Sequence, residues 1–298
     1  MTQRYRELLA DFSLIVVATI WGVTFLMVQE ATREVPVFAF LFWRFLLASS
    51  LFFILGMLLK QLIFDLDSFR SGIKLGVLLC SGFMFQTFGL QYAPSSIVGF
   101  ITGMYVVFVP ILMWLFFKER ASIFTLIGVF SSAFGLWLIS TEGRGVALGS
   151  GEILTLVSSL FFAAHIVFTG IFSIKHKIFP LIFGQFCTAA IISLLLSLCF
   201  DSRTIPAEAS HAFLKALIIT AVFATVLADF TQTYVQRFTT PAKVAVIFTI
   251  EPLSAGIFGY YVGGEALGIA QILGGALIII AMLSIELGTL LYKRKKPR

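Results

Sequence analysis

The chain has 298 residues, of which 59% are hydrophobic and 12% charged, with 34 phenylalanines and a mean hydropathy of +1.02. Soluble domains average roughly 45–50% apolar and 25% charged residues, so this composition excludes a soluble globular protein and defines an integral membrane protein with no separate soluble domain. The formal charge of +6 and pI near 9.3 do not point to a nucleic-acid partner, because the basic residues have a topological explanation given below.

Arg4 and Arg6 precede an apolar run in the manner of a secretory leader, but no small-x-small cleavage site closes that run. More apolar runs follow, so it reads as a retained first span. In chain order the runs fall at 12–29, 37–59, 73–92, 95–117, 122–140, 152–173, 180–200, 214–236, 242–262 and 267–290. Ten helices of about 20 residues, each enough to cross a bilayer, account for the whole chain. A transmembrane barrel would need alternating polar and apolar positions, which these continuous runs lack. Cys80, Cys187 and Cys199 are scattered without CxxC or His-Cys spacing and read as small core fillers.

The basic residues orient the bundle. Sixteen of the 21 fall on one set of connections, from Arg4 and Arg6 through Lys60, Lys118 and Lys175 to the Lys293–Arg298 tail. Only Arg33, Arg144, Arg203 and Lys215 fall on the other set, and Arg44 lies within a span. By the positive-inside rule both termini are expected in the cytoplasm, which requires an even number of spans. The basic tail then serves as a topology anchor at the anionic inner leaflet.

An internal repeat appears at an offset of 146 residues. Gln86 and Thr87 recur as Gln232 and Thr233, Val98 as Val244, Ile101 as Ile247, Ile111 as Ile257, Glu119 as Glu265 and Gly128 as Gly274. Five spans separate equivalent positions, and an odd number makes the halves opposite in orientation. The expected fold is therefore an all-α membrane protein of ten transmembrane helices in two inverted five-helix repeats, residues 1–145 and 146–298, forming one transmembrane domain. Inverted halves of this kind commonly enclose a solute site and give access to it from alternate sides.

The ten-span plan, Trp21-Gly22 in the first span, Arg44 in the second, and the segments ending in Phe117-Lys118-Glu119-Arg120 and Gly263-Gly264-Glu265 resemble the EamA family of the drug/metabolite transporter superfamily. The resemblance implies a 5+5 inverted-repeat carrier in a bacterial cytoplasmic membrane, commonly an exporter of amino acids or other small metabolites. The sequence departs from the family pattern at Phe-Lys-Glu, where Leu-Gly-Glu is usual, and in carrying Pro110 in the first half where the equivalent of Pro252 is Val106.

The candidate site residues are the polar groups at membrane depth. Thr225, Asp229, Gln232, Thr233 and Gln236 fall on one face of an apolar helix. Asp229 lies eight residues before Arg237 and Glu251 eight after Lys243, which puts both carboxylates about 12 Å inside the same boundary at about 1.5 Å per residue. An ionised carboxylate in lipid costs several kcal/mol, so each must face a polar cavity, pair with a cation or carry a proton. Two neighbouring carboxylates sharing a proton would suit coupled protons or a cationic substrate; local satisfaction, of Glu251 by Lys243 or by backbone near Pro252, is the plainer account. Arg44 can offer a bidentate fork to a substrate carboxylate, or pair with Glu30 or Glu34 while snorkelling outward. His165 can relay protons or act as a packed, hydrogen-bonded core residue. Gln86, Trp21 and Tyr105 fall near mid-span, and Tyr105 is the repeat partner of Glu251. Glu119 and Glu265 read as helix-end anchors or caps. The Gly99/Gly103 and Gly259/Gly263 spacings allow close helix crossing, within the monomer or between the copies of a homodimer, with the monomer expected.

No HExxH, GxxxxGK[ST], paired CxxC or EF-hand pattern occurs, and His165, His176 and His211 lie on separate segments, so neither an enzyme nor a metal or other cofactor is expected. A pore or facilitative channel is the nearer alternative, although no charge ring or filter-like loop is evident; an intramembrane enzyme would have only Asp229, Glu251 and His165 to work with. The expected function is a secondary transporter of a small organic metabolite such as an amino acid, working across the cytoplasmic membrane.

Overall fold

A computed structural model describes residues 3–61, 65–118, 123–141, 148–205 and 210–294. Its helices are α1 (Gln3–Glu34), α2 (Val37–Leu58), α3 (Leu66–Gly89), α4 (Ser95–Thr102), α5 (Tyr105–Phe117), α6 (Ile123–Thr141), α7 (Ser150–Lys175), α8 (Ile178–Phe200), α9 (His211–Ala221), α10 (Ala228–Val235), α11 (Pro241–Ile247), α12 (Ile250–Tyr261) and α13 (Ile269–Arg294). Three pairs are interrupted rods: α4 with α5, α9 with α10, and α11 with α12. The helices thus make ten rods, and no strand occurs among the described residues. Eight rods are long and apolar enough to cross a membrane, and α13 contributes the shorter apolar stretch Ile269–Ala281. Large apolar side chains such as Leu58, Leu198, Phe130 and Ile269 point outward, as a lipid-facing surface requires.

The unbroken apolar runs gave no sign of these interruptions, apart from the backbone expected to be freed near Pro252. The chain tightens to i+3 bonding between α4 and α5, with Met104 N–H on Ile101 O and Val106 N–H on Gly103 O, and tightens again at Glu251 N–H on Phe248 O. These two breaks occupy equivalent positions of the repeat. Between α9 and α10 the backbone does the opposite and widens into a π-turn over Val222–Leu227.

The repeats interlock. Helix α1 lies against α12 with Gly22 at the crossing, where an added Cβ would stand 2.5 Å from Glu251 O and 2.8 Å from Ala255 N. Helices α3 and α8 cross at Gly72 and Gly184 with comparable closeness. Gly99 of α4 faces Ala255 of α12, so this member of the foreseen small-residue spacings serves packing within the monomer.

Carboxylates meet the starts of several helices, where free N–H groups and the helix dipole favour negative charge. Asp201 accepts from Ala39 N at 2.8 Å in the first turn of α2. Glu265 accepts from the N–H and hydroxyl of Ser95, each at 2.7 Å, and from Ser96 N at 3.0 Å and the Ser96 hydroxyl. It is a cap for α4, supplied by the opposite repeat. Glu119, its sequence counterpart, lies outside the described residues. Asp65 caps α3, accepting from Ser68 N at 3.1 Å and from the Ser68 hydroxyl. Those bonds, hydroxyl first, hold the Asp65 carboxyl below the ordinary aspartate range.

Candidate functional site

A cavity with about 590 Å³ of empty space, part of it open to solvent, lies between the repeats, and Trp21, Arg44, Gln86, Tyr105, His165, Asp229, Gln232 and Glu251 all line it. Aromatic and aliphatic side chains, among them Phe25, Phe83, Phe162 and Phe248, fill the remaining wall, giving the mostly apolar lining with few polar groups that suits a small organic ligand.

The two carboxylates are satisfied differently. Glu251, just after the α11/α12 break, accepts from the Tyr105 hydroxyl at 2.7 Å. Tyr105 begins α5 just after the equivalent break, and its hydroxyl is also 3.1 Å from Phe248 O. The expected alternative partner, Lys243, is instead paired with Asp11 at 2.6 Å. Asp229 is only 1% exposed, and its Oδ2 has no hydrogen-bond partner among the described residues.

Arg44 does not snorkel toward Glu30 or Glu34; it is 2% exposed, and Glu34 accepts from the Ser210 hydroxyl. Its Nε donates to Thr225 Oγ1 at 2.8 Å and its Nη2 to Ala224 O at 3.3 Å. The guanidinium also lies 4.1 Å from the centre of the Phe83 ring, an attractive cation–π position. The outward pairing fails because the neighbouring π-turn offers buried acceptors closer at hand. Trp21 donates Nε1 to the same Ala224 O at 2.8 Å and meets Phe248 edge-on.

His165 lies 2.7 Å through Nε2 from Gln185 Oε1, and Gln86 donates to Thr102 Oγ1 at 3.2 Å. Gln232 contacts Gln236, which in turn donates to Ile166 O at 3.0 Å, so the polar stripe divides between cavity and helix packing. Gln185 and Thr102 were not singled out in the sequence; as polar residues inside apolar spans they carried the same signal as Gln86. Phe83 and Phe162 had no such signal in a chain so rich in phenylalanine.

A bundle of apolar rods in two inverted repeats, closed around a polar-dotted cavity, defines a multi-pass membrane transporter. The EamA-like transporter family model matches residues 8–141 and 149–287, and the chain belongs to that family. It is 32% identical over 284 residues to a protein of Archaeoglobus fulgidus described as an uncharacterized transporter, covering 95% of this chain and 87% of the other. To the uncharacterized transporter YoaV of Bacillus subtilis it is 24% identical, covering 95% and 97%. A protein crystal structure with 18% sequence identity gives a TM-score of 0.67 over 97% of this chain and 98% of that one, a likeness of fold.

Proposed function

We propose that this chain carries a small zwitterionic metabolite, of the amino-acid class, across the cytoplasmic membrane by alternating access, with export as the net direction. The observation that carries the reading is the bare Asp229 Oδ2 in the same cavity as Arg44. A buried acceptor without a donor costs about 1–3 kcal/mol, and more when charged. A substrate ammonium removes that cost. Arg44 and Asp229 form no contact ion pair, the one such pair among the described residues being Lys243 with Asp11. The site therefore keeps a positive and a negative group available to opposite ends of one ligand, while the aromatic wall takes its apolar body.

The repeats 1–145 and 146–298 rock about this cavity, with both termini in the cytoplasm as the basic connections favour. Asp229 and Glu251 are the groups able to carry a coupled proton. Export as the direction rests on the resemblance to the EamA family alone.

Reconstituted vesicles loaded with L-leucine test the reading by counterflow. Saturable exchange is expected, inhibited at least tenfold more weakly by leucinamide, which lacks the carboxylate, and by N-acetylleucine, which lacks the ammonium. Asp229→Asn should abolish the preference for L-leucine over N-acetylleucine. Unsaturable flux would instead indicate a pore, and equal inhibition by all three compounds would refute zwitterion recognition.

A further inference from the structure

The π-turn at Val222–Leu227 interrupts the rod of α9 and α10, and it lies beside Arg44 of the cavity. In an α-helix the Ala224 carbonyl would accept from Ala228 N–H. Here Ala228 N–H bonds to Phe223 O and Thr225 O, and Ala224 O accepts from Arg44 Nη2 and Trp21 Nε1. Such single π-turns inside α-helices recur at functional sites. One position further on, the Thr225 hydroxyl donates its proton to Thr220 O at 2.8 Å. With that proton committed, Thr225 Oγ1 faces Arg44 Nε purely as an acceptor.

The chemistry of these acceptors matters more than their number. Had a carboxylate held the guanidinium, the two charges would have cancelled. A carbonyl and a hydroxyl satisfy buried N–H groups, as a lipid-surrounded site demands, and leave the positive charge intact. They also occupy one edge of the guanidinium only: Nε and Nη2 are engaged, and Nη1 has no acceptor among the described residues. A planar fork fixed along one edge presents the remaining N–H groups in a set direction.

We propose that this π-turn is a cradle that positions Arg44 to receive a carboxylate, with Thr225 as the positioning residue that fixes its Nε and Trp21 as the brace that fixes the turn. The cradle stands on the geometry of the turn; its effect on transport rests on the zwitterion reading above. Loss of the Thr225 hydroxyl should loosen Arg44 without removing its charge, so that recognition of a carboxylate suffers while recognition of an ammonium does not.

The test has two arms, using Thr225→Val and Thr225→Ser in the full-length protein. In detergent, the Arg44 Nε–H resonance of 15N-arginine-labelled protein, assigned by its absence in Arg44→Lys, reports the cradle directly. Hydrogen exchange there should be about tenfold faster in Thr225→Val, the scale of one lost bond to a charged donor, and close to wild type in Thr225→Ser. Exchange within twofold of wild type in Thr225→Val overturns the cradle. In vesicles, Thr225→Val should raise the KM for L-leucine about tenfold with kcat within twofold, leaving inhibition by leucinamide unchanged. Equal weakening of L-leucine and leucinamide would mean a merely structural effect and overturns the positioning role. If the wild-type protein does not carry L-leucine, the substrate reading falls, and the exchange arm alone decides the cradle.

Discussion

Replacing Gly22 by alanine tests the coupling between helix packing and the cavity. The new methyl would stand 2.3 Å from Ser254 Oγ, 2.5 Å from Glu251 O and 2.8 Å from Ala255 N. Ser254 can turn aside; the two backbone atoms cannot. Ordinary contact begins near 3.4 Å, so α1 and α12 must part by roughly 1 Å, at an overpacking cost of about 1–3 kcal/mol. The same displacement acts on neighbouring bonds. Trp21 adjoins Gly22 and holds Ala224 O at 2.8 Å, and Glu251 is held by Tyr105 at 2.7 Å; stretched by about 1 Å, neither remains a hydrogen bond. Gly256→Ala, on the same helix α12, is the control, because its methyl would meet only the tip of the Phe100 ring at 3.1 Å. Thermal unfolding in detergent and counterflow in vesicles are the assays. Gly22→Ala should lower Tm by several degrees and cut exchange at least tenfold, with Gly256→Ala near wild type in both. Gly22→Ala at wild-type stability and rate, or Gly256→Ala as the more damaging change, would refute the reasoning.

Glu265→Ala should lower Tm in detergent by the equivalent of about 1–2 kcal/mol, the scale of a lost helix cap, and Glu265→Gln by roughly half of that; an unchanged Tm in Glu265→Ala would show that the Ser95 and Ser96 N–H groups find other acceptors. For Asp65 the sign follows from its lowered carboxyl. Its contribution to stability is complete above the ordinary aspartate range and disappears as pH falls through its lowered value. An acid unfolding profile of Asp65→Asn should therefore be flatter than wild type in that window and no flatter above it.

Much of this architecture was legible in the sequence because it rests on composition and period. Apolar runs near 20 residues located the rods, and the repeat located the halves. All eight candidate site residues line the cavity, for one physical reason: a polar side chain inside an apolar span must find water, a ligand or a partner. Which of these it finds was not legible. The sequence allowed Arg44 to turn outward or inward, and the outcome depends on a π-turn that leaves no signature in VFATVL. The break at Gly103–Met104 was equally silent, whereas the one at Phe248–Thr249 had a signal in Pro252, which has no N–H for the Phe248 carbonyl four residues earlier. Glu265 read as a helix-end anchor or cap, but that it caps, and which helix, 170 residues away in the chain, could not be named without the fold.

Tyr105 and Glu251 are separated by 146 residues, the repeat interval itself, and they touch. A residue in contact with its own counterpart sits on the axis that relates the two halves. If the inverted halves trade shapes, as the proposed alternating access requires, this pair is mapped onto itself with the ends exchanged, so the contact would survive the cycle while its surroundings swap. The Tyr105 hydroxyl, which donates to Glu251 at 2.7 Å, also lies 3.1 Å from Phe248 O; in the exchanged state Glu251 would face the carbonyl of Thr102, the counterpart of Phe248. A phenol can donate to a carbonyl, and a carboxylate can do so only with a proton. Under that proposal the two orientations of the empty carrier would not be equivalent, because a tyrosine and a glutamate stand at matching positions of the repeat.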